Sequence, residues 1–73
     1  MTNINEDEKA QKQFGERLKN AREKAGLTQA DVATKSGINV SYYARIERGE
    51  INPSFVKIRG IMKALKMKSI DLP

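Results

Sequence analysis

The feature that most constrains this sequence is a series of three glycines, Gly26, Gly37 and Gly49, which divide its middle into two segments of about ten residues each. Glycine readily adopts the left-handed conformation that ends a helix. A segment of that length accommodates two or three turns of α-helix and nothing longer. The spacing therefore predicts two short helices, one ending at Gly37 and the other closed by Gly49.

Each of these segments also begins with a residue that is suited to cap a helix. Thr28 precedes the first, and Asp31 follows three residues later, an arrangement that approximates a capping box. Asn39 is a favourable N-cap for the second, which extends to about Arg48. Caps and glycines are independent local signals, and both indicate the same two helices.

Amphipathic segments flank this central pair. Residues 8–25 carry apolar side chains at three- and four-residue steps, the pattern of a helix with one buried face: Phe14, Leu18, Ala21 and Ala25. Ser54 can cap a helix over residues 55–65, whose predicted apolar side consists of Phe55, Ile58, Ile61, Met62 and Leu65. Residues 1–7 are expected to be a flexible acidic leader, and the tail has room for a fifth short helix. The prediction is one all-α domain over residues 8–73 with four or five helices.

Composition excludes several classes of protein. The 73 residues include no cysteine and no histidine, so disulfides and the usual Cys/His metal sites are excluded. The sequence contains no glycine-rich phosphate loop and no carboxylate pair that suggests a catalytic cleft, so neither an enzyme nor a cofactor or small-molecule ligand is expected. No apolar run is long enough to span a membrane, and the polar, acidic start is unlike a secretory signal. We expect a cytoplasmic protein with no membrane partner.

The charge distribution indicates a polyanionic partner. The whole chain carries +5, but residues 1–8 contain three acidic residues and no basic one. The remaining residues hold 14 basic and six acidic side chains, a balance of +8, and residues 57–68 hold five basic side chains and no acid. Such a surface favours nucleic acid or another anionic partner, while the alternative is that the charge serves solubility alone.

The second short helix decides between these alternatives. On a helical wheel at about 100° per residue, one face is small or cationic and holds Val40, Ser41, Ala44, Arg45 and Arg48. The opposite face is aromatic and aliphatic, with a carboxylate at its border: Tyr42, Tyr43, Ile46 and Glu47. A cationic face of this kind fits the major groove of DNA, where arginine binds guanine edges or phosphates. A solvated face that happens to hold two arginines is the alternative.

The spacing of both helices favours DNA. If Gln29 opens a twenty-residue unit, small and apolar residues fall where two helices that cross at a tight turn need them: Val32, Ala33, Gly37, Ile38, Tyr43 and Ile46. Ala33 must be small where the second helix crosses, and Gly37 makes the turn. Agreement at six positions predicts a helix-turn-helix motif over about residues 29–48.

The stretch LTQADVATKSGINVSYYARIERGEINPS resembles the Cro/C1-type helix-turn-helix family, also called the XRE family, and the similarity extends over about residues 14–72. The resemblance implies a lambda-repressor-like domain that binds double-stranded DNA sequence-specifically, regulates transcription and acts as a homodimer on an operator. A repressor, a controller protein and an antitoxin all remain open. So do a protein-binding adaptor with the same fold and the N-terminal DNA-binding fragment of a larger regulator.

The resemblance also implies roles for individual residues. Arg22 and Glu47 match a structural ion pair of the family. The residues expected to contact bases or phosphates, including the cap itself, are Gln29, Asn39, Val40, Ser41, Tyr42, Ala44, Arg45, Arg48, Asn52 and Lys57. Among these, Arg45 is the strongest candidate for a specific base contact, while Arg48 and Gln29 suit phosphates. A dimer interface is expected late in the chain, among Ile61, Met67, Ile70 and Leu72. Tyr43 is expected in the core.

Overall fold

The computed structural model describes residues 6–67, which form four α-helices and no β-strand. The helices are α1 (Glu6–Lys24), α2 (Gln29–Ser36), α3 (Val40–Glu47) and α4 (Phe55–Ala64). This confirms the all-α fold and the order of the predicted helices. The segment with room for a fifth helix lies mostly at residues 68–73, outside the described residues. Within residues 6–67, no helix combines the length and the apolar character needed to cross a membrane.

The predicted N-caps are confirmed. The Thr28 hydroxyl accepts a hydrogen bond from the Asp31 N–H at 3.0 Å, and the Thr28 N–H donates to the Asp31 carboxylate at 2.8 Å, which completes the capping box of α2. The Asn39 side chain accepts hydrogen bonds from two N–H groups in the first turn of α3, at 2.7 and 3.3 Å. Ser54 caps α4 in the same way at 3.3 Å. The backbone N–H groups that lack a partner in the first turn of a helix are thereby satisfied in α2, α3 and α4.

The turn between α2 and α3 has the geometry that only glycine adopts without strain. Gly37 has φ +71°, and its N–H donates to the Thr34 carbonyl at 3.2 Å. The Ile38 N–H donates to the Ala33 carbonyl at 2.9 Å, so the two bonds form a Schellman motif. The turn therefore fixes the direction in which α3 leaves α2.

The start of α1 corrects the predicted leader. Glu6 and Asp7 belong to the helix, so the boundary expected at residue 7 is wrong by two residues. Acidic side chains in a first helical turn interact favourably with the positive end of the helix dipole. The same charges that suggested a leader therefore favour an earlier helix start.

The core lies where the four helices meet. The packing of α2 against α3 and α4, and of α1 against α3, encloses five side chains completely: Leu18, Val32, Tyr43, Ile46 and Ile61. Tyr43 is a core residue, as predicted. A chain this short has a small core, so the burial of each of these side chains contributes a large part of its stability.

Helical periodicity alone misplaced two residues. Ala25 is exposed, and Phe55, expected on the buried side of α4, is 64% exposed. Periodicity identifies the face of a helix, but it does not show where along that face the core ends. Ile61 is fully buried within the protomer, so it does not lie on a surface that a second copy could contact, and its assignment to a dimer interface is wrong.

Two helices approach each other closely at Gly15, where α1 meets the end of α3. A β-carbon at this position would overlap the backbone carbonyl oxygens of Ile46 and Glu47. Glycine is therefore required here by space and not by φ, which is that of an ordinary helix. This contact allows the backbones of α1 and α3 to touch.

A buried ion pair joins the same two helices. Arg22 Nε lies 2.7 Å from Glu47 Oε2, Arg22 Nη2 lies 3.2 Å from Oε1, and Arg22 Nη1 donates to the Leu27 carbonyl at 3.0 Å. The Glu47 side chain is only 2% exposed and that of Arg22 13%. Burial raises the pKa of Glu47, but hydrogen bonds, first of all from Arg22, outweigh it and hold the pKa below its usual value. Glu47 is thus an ionised, fully paired carboxylate inside the protein.

Beside this pair lies the Tyr43 hydroxyl, which is buried and makes no hydrogen bond of good geometry. Burial, and then the neighbouring Glu47, raise the pKa of Tyr43 well above its usual range. The phenol therefore stays neutral, and its ring contributes to packing while its hydroxyl borders the ion pair.

Replacement of Gly15 tests the close approach of α1 and α3. We expect Gly15→Ala to lower the free energy of unfolding by about 1–3 kcal/mol, because the added methyl group meets backbone that cannot move aside easily. Gly60→Ala is the matched control, since a β-carbon there would meet only the Ser36 carbonyl oxygen at 3.7 Å. That variant should gain about 0.5–1 kcal/mol from helix propensity. Urea unfolding followed by circular dichroism measures both, and equal stabilities would contradict the close contact.

Removal of Arg22 tests the buried pair. Arg22→Met should destabilise the protein by about 3–5 kcal/mol, because it leaves the Glu47 carboxylate buried without its main partner. Arg17→Met, at an exposed arginine of the same helix, should change stability by less than about 0.5 kcal/mol. Adding Glu47→Gln to the Arg22→Met variant should recover part of the loss, since a neutral amide is easier to bury. Thermal and urea unfolding would disprove this account if the two single arginine variants were equally stable.

Candidate nucleic-acid interface

Helix α3 has one buried and one exposed face, as the wheel predicted. Tyr43, Ile46 and Glu47 are buried, and they attach the helix to α1 and α2. The predicted binding face lies on the opposite side, where Val40 is 43% exposed. Ala44 is half-buried, and the remaining residues of this face are exposed: Ser41, Arg45 and Arg48. A helix that presents short side chains beside two arginines can approach a grooved polyanion closely.

The start of α3 is held by Asn39. Its side-chain oxygen is occupied by the cap, while its side-chain nitrogen is in an exposed residue and can donate outward. The predicted contact of Asn39 with DNA is compatible with the capping role, since the two functions use different atoms. The cap also fixes the orientation of Val40 and Ser41, the first residues of the helix.

Gln29 has a second role besides the one predicted from its position at the start of α2. Its side-chain Nε2 donates to Glu47 Oε1 at 2.9 Å, which adds a third helix to the buried ion pair. The residue is half-buried. A phosphate contact by Gln29 therefore stays a prediction, and it would have to use the backbone N–H or the second hydrogen of Nε2.

Both arginines of the binding face are joined to one carboxylate. Arg48 Nε lies 2.6 Å from Glu50 Oε2, and Arg48 Nη2 lies 3.3 Å from Oε1. Arg45 Nε lies 3.4 Å from Oε1 of the same residue. All three side chains are about half exposed. Sequence reasoning missed Glu50, although its position two residues after Arg48 in a glycine turn was a signal that the side chains could meet.

Tyr42 and Lys57 lie together at the edge of this surface. The Lys57 ammonium stands 4.9 Å from the centre of the Tyr42 ring, within the range of a cation–π interaction. Tyr42 is half-buried and Lys57 is exposed, so the ring packs while the cation remains available. Asn52 is exposed in the loop between α3 and α4. These three predicted contacts extend the surface from α3 towards the start of α4.

On the other side of α3, a groove of about 430 Å³ lies between α1 and the start of α2. It is lined by Lys12, Glu16, Lys19, Gln29, Glu47 and Arg48. The lysines add positive charge beside the predicted phosphate contact at Gln29. Sequence reasoning did not include Lys12 or Lys19, although their seven-residue spacing places both on one face of α1.

The predicted dimer contacts are only partly within the described residues. Met67 is half-buried, while Ile70 and Leu72 lie outside residues 6–67. Met67 borders a shallow surface with Phe55 and Val56, whose exposed fractions are 64% and 75%. Two cationic residues, Arg59 and Lys63, line the same surface.

No group of carboxylates, histidines or cysteines among residues 6–67 is arranged to hold a metal ion. The chemistry that this surface offers is hydrogen-bond donation and positive charge, supplied by Arg45, Arg48 and the lysines around α3. Such groups bind anions and base edges.

Known proteins are similar to this chain. Residues 18–72 match the protein family described as helix-turn-helix. The chain is 31% identical over 61 residues, 84% of its own length and 79% of the relative, to the uncharacterised HTH-type transcriptional regulator y4dJ of Sinorhizobium fredii. It is 39% identical over 51 residues to the immunity repressor protein of Bacillus phage phi105, covering 70% of this chain and 35% of that protein.

Solved structures agree with the sequence relatives. The restriction–modification controller protein C.AhdI from Aeromonas hydrophila superimposes with a TM-score of 0.83 at 34% identity, over 88% of this chain and 93% of that one. A point mutant of the restriction–modification controller protein C.Esp1396I gives a TM-score of 0.77 at 30% identity, over 81% and 79% of the two chains. The chain therefore belongs to the Cro/C1-type helix-turn-helix family and is a DNA-binding transcriptional regulator.

Proposed function

We propose that this regulator binds a double-stranded operator sequence-specifically, as a homodimer, with α3 of each protomer in the major groove, and that it represses or controls transcription in the cytoplasm. The observation that carries the proposal is the division of α3. Its inner face is fixed by the buried Arg22–Glu47 pair, and its outer face offers Arg45 and Arg48 beside short side chains. A helix held this firmly can place arginines against base edges reproducibly.

Arg45 is the proposed reader of bases. Its guanidinium engages Glu50 through Nε, so both terminal nitrogens remain able to form the paired hydrogen bonds that arginine makes to guanine. Val40 cannot donate a hydrogen bond, but its exposed methyl groups suit the methyl group of thymine. Ser41 and Ala44 complete the reading face, because their small size permits close approach.

The phosphate contacts are proposed on both sides of α3. On one side Gln29 and Arg48 adjoin the groove that also holds Lys12 and Lys19. On the other side the candidates are Asn39, Tyr42, Asn52 and Lys57, with the lysine already positioned over the tyrosine ring. Phosphate contacts of this kind fix register on the duplex and supply affinity without sequence information.

A homodimer accounts for the apolar surface at Phe55 and Val56. One helix-turn-helix domain makes a limited interface with DNA, and a two-fold dimer doubles it over two half-sites. Met67 borders this surface, and the sequence continues from there to Ile70 and Leu72, the other proposed interface residues. The relatives include a phage immunity repressor and two restriction–modification controller proteins, so repression and control of a neighbouring gene are the favoured roles.

A protein-binding adaptor is the second candidate, because the same exposed surface at Phe55 and Val56 could receive a different protein. The two candidates differ in their DNA binding. A regulator of an operator prefers particular duplexes, whereas an adaptor would bind every duplex equally weakly. Selection from a random pool of duplexes, followed by sequencing of the bound fraction, separates them.

Replacement of Arg45 tests the assignment of base reading. Against an operator enriched from a random pool, Arg45→Ala should lose about 1–3 kcal/mol of discrimination relative to a scrambled duplex. Lys57→Ala should instead weaken both duplexes about equally and reduce the salt slope by about one. Fluorescence anisotropy at several salt concentrations measures these quantities, with Arg17→Ala as a control for the loss of one exposed charge. Equal losses on both duplexes for Arg45→Ala would refute its role in reading bases.

Charge placed on the apolar surface tests the dimer. Val56→Glu should weaken self-association about tenfold or more, because an interface excludes an unpaired carboxylate. Val40→Glu is the matched control: it makes the same change at another exposed valine, on the DNA-facing helix, and should leave self-association unchanged. Sedimentation equilibrium without DNA gives the constants. The interface is elsewhere if Val56→Glu associates like the wild-type protein.

A further inference from the structure

A single carboxylate, that of Glu50, joins the two arginines of the DNA-facing surface. Its two oxygens lie 2.6 and 3.3 Å from Arg48 nitrogens, and one of them lies 3.4 Å from Arg45 Nε. Hydrogen bonding by Arg48, and then by Arg45, lowers the pKa of Glu50, so the side chain is ionised at neutral pH. The surface that binds a polyanion therefore carries a negative charge between its two main cations.

The position of Glu50 is fixed by the backbone around it. Gly49 has φ +73°, and the Glu50 N–H donates to the Arg45 carbonyl at 2.9 Å. The Gly49 carbonyl accepts a hydrogen bond from the Gln11 side chain at 3.3 Å, which ties the turn to α1. Lys12 lies against Gly49, where a β-carbon would meet its backbone at 2.8 Å. The backbone that carries Glu50 is thus held at the end of α3, within reach of both arginines.

The three side chains are too exposed for this contact to stabilise the fold. Ion pairs in water contribute little, because solvent and salt screen them and long side chains lose entropy. Arg45, Arg48 and Glu50 are each about half exposed. The arrangement has a larger effect on a bound polyanion, since a carboxylate near phosphates repels them while it competes for the same N–H donors.

The two arginines use different atoms in this contact, and the difference matters. Arg48 offers Nε and one terminal nitrogen to Glu50, which occupies one whole edge of its guanidinium. Arg45 offers only Nε and keeps both terminal nitrogens. A guanine needs two N–H groups from one arginine, and Arg45 can supply them without leaving Glu50. To bind a phosphate, Arg48 must use Nη1 and the second hydrogen of Nη2, or give up the carboxylate.

We propose that Glu50 is a specificity-determining residue, which positions Arg45 for base edges and opposes the binding of Arg48 to phosphates. The inference rests on the proposed function, because it assigns a role within the same DNA-binding surface. Its consequence is that Glu50 lowers affinity for every duplex, and lowers it more for an arbitrary sequence than for the operator. On the operator, the base contact of Arg45, which Glu50 positions, compensates for this repulsion. An arbitrary sequence does not provide that contact.

Three variants separate the effect of the Glu50 charge from the effect of the length of its side chain. Glu50→Gln removes the charge and keeps the length, so affinity for a scrambled duplex should rise about five- to tenfold. Affinity for the operator should rise less, so that the ratio of the two falls about threefold or more, and the salt slope should steepen by about one. Glu50→Asp keeps the charge but shortens the side chain. It should leave binding to the scrambled duplex near the wild-type value and weaken binding to the operator. Glu23→Gln, an exposed carboxylate of α1, controls for net charge.

The outcomes distinguish this inference from the proposed function. It is overturned if Glu50→Gln leaves the ratio of operator affinity to scrambled-duplex affinity unchanged, or if Glu23→Gln changes that ratio as much. It is also overturned if Glu50→Gln weakens only operator binding, because Glu50 would then be a direct base contact. A measurement without DNA is independent: the Nε–H resonances of Arg45 and Arg48 in the free protein should shift in Glu50→Gln and stay in place in Glu23→Gln. Absence of that shift refutes the positioning role. Failure of the wild-type protein to bind any duplex would refute the proposed function, while the resonances would still show whether Glu50 holds the arginines.

Discussion

The buried carboxylate of Glu47 is the interaction on which the rest of the structure depends. It accepts hydrogen bonds from Arg22 of α1 and Gln29 of α2 while it belongs to α3, so it defines the relative position of three helices. A carboxylate inside a protein is tolerated only when its charge is paired and its oxygens are hydrogen-bonded. Gly15 allows the helices to come near enough for this, because any side chain there would separate α1 from α3.

The contrast between the two ion-pair systems of α3 explains how one short helix serves both folding and binding. Glu47 is fully enclosed, and loss of its partner leaves an uncompensated charge that no solvent relieves. Glu50 is exposed, and its contacts with Arg45 and Arg48 can open and close against water at little net cost. The enclosed pair holds the helix in place, whereas the exposed carboxylate can regulate what the arginines bind.

Much of this arrangement could be predicted from sequence, because it depends on local signals. The caps at Thr28 and Asn39 and the turn at Gly37 are set by a few neighbouring residues, and the structure has them as expected. Two features depend on contacts between distant parts of the chain, and they could not be predicted. The need for glycine at position 15 exists only because α3 crosses there, and the exposure of Phe55 depends on where the core ends along α4. Periodicity describes a helix by itself and contains no information about its neighbours.

The same separation constrains how such a protein can change its operator. Val40, Ser41 and Arg45 are exposed or nearly so, and substitutions at such positions usually alter stability by less than about 0.5 kcal/mol. Tyr43 and Glu47 lie on the same eight-residue helix but are buried, so a change in either would disturb the core of a small domain. Because the two sets lie on opposite faces of a single helix, the proposed reading face can vary residue by residue while the attachment of the helix stays constant. A stable scaffold with a replaceable surface follows from the geometry of one short helix, with the proposed reading side chains on one side of its axis and anchoring side chains on the other.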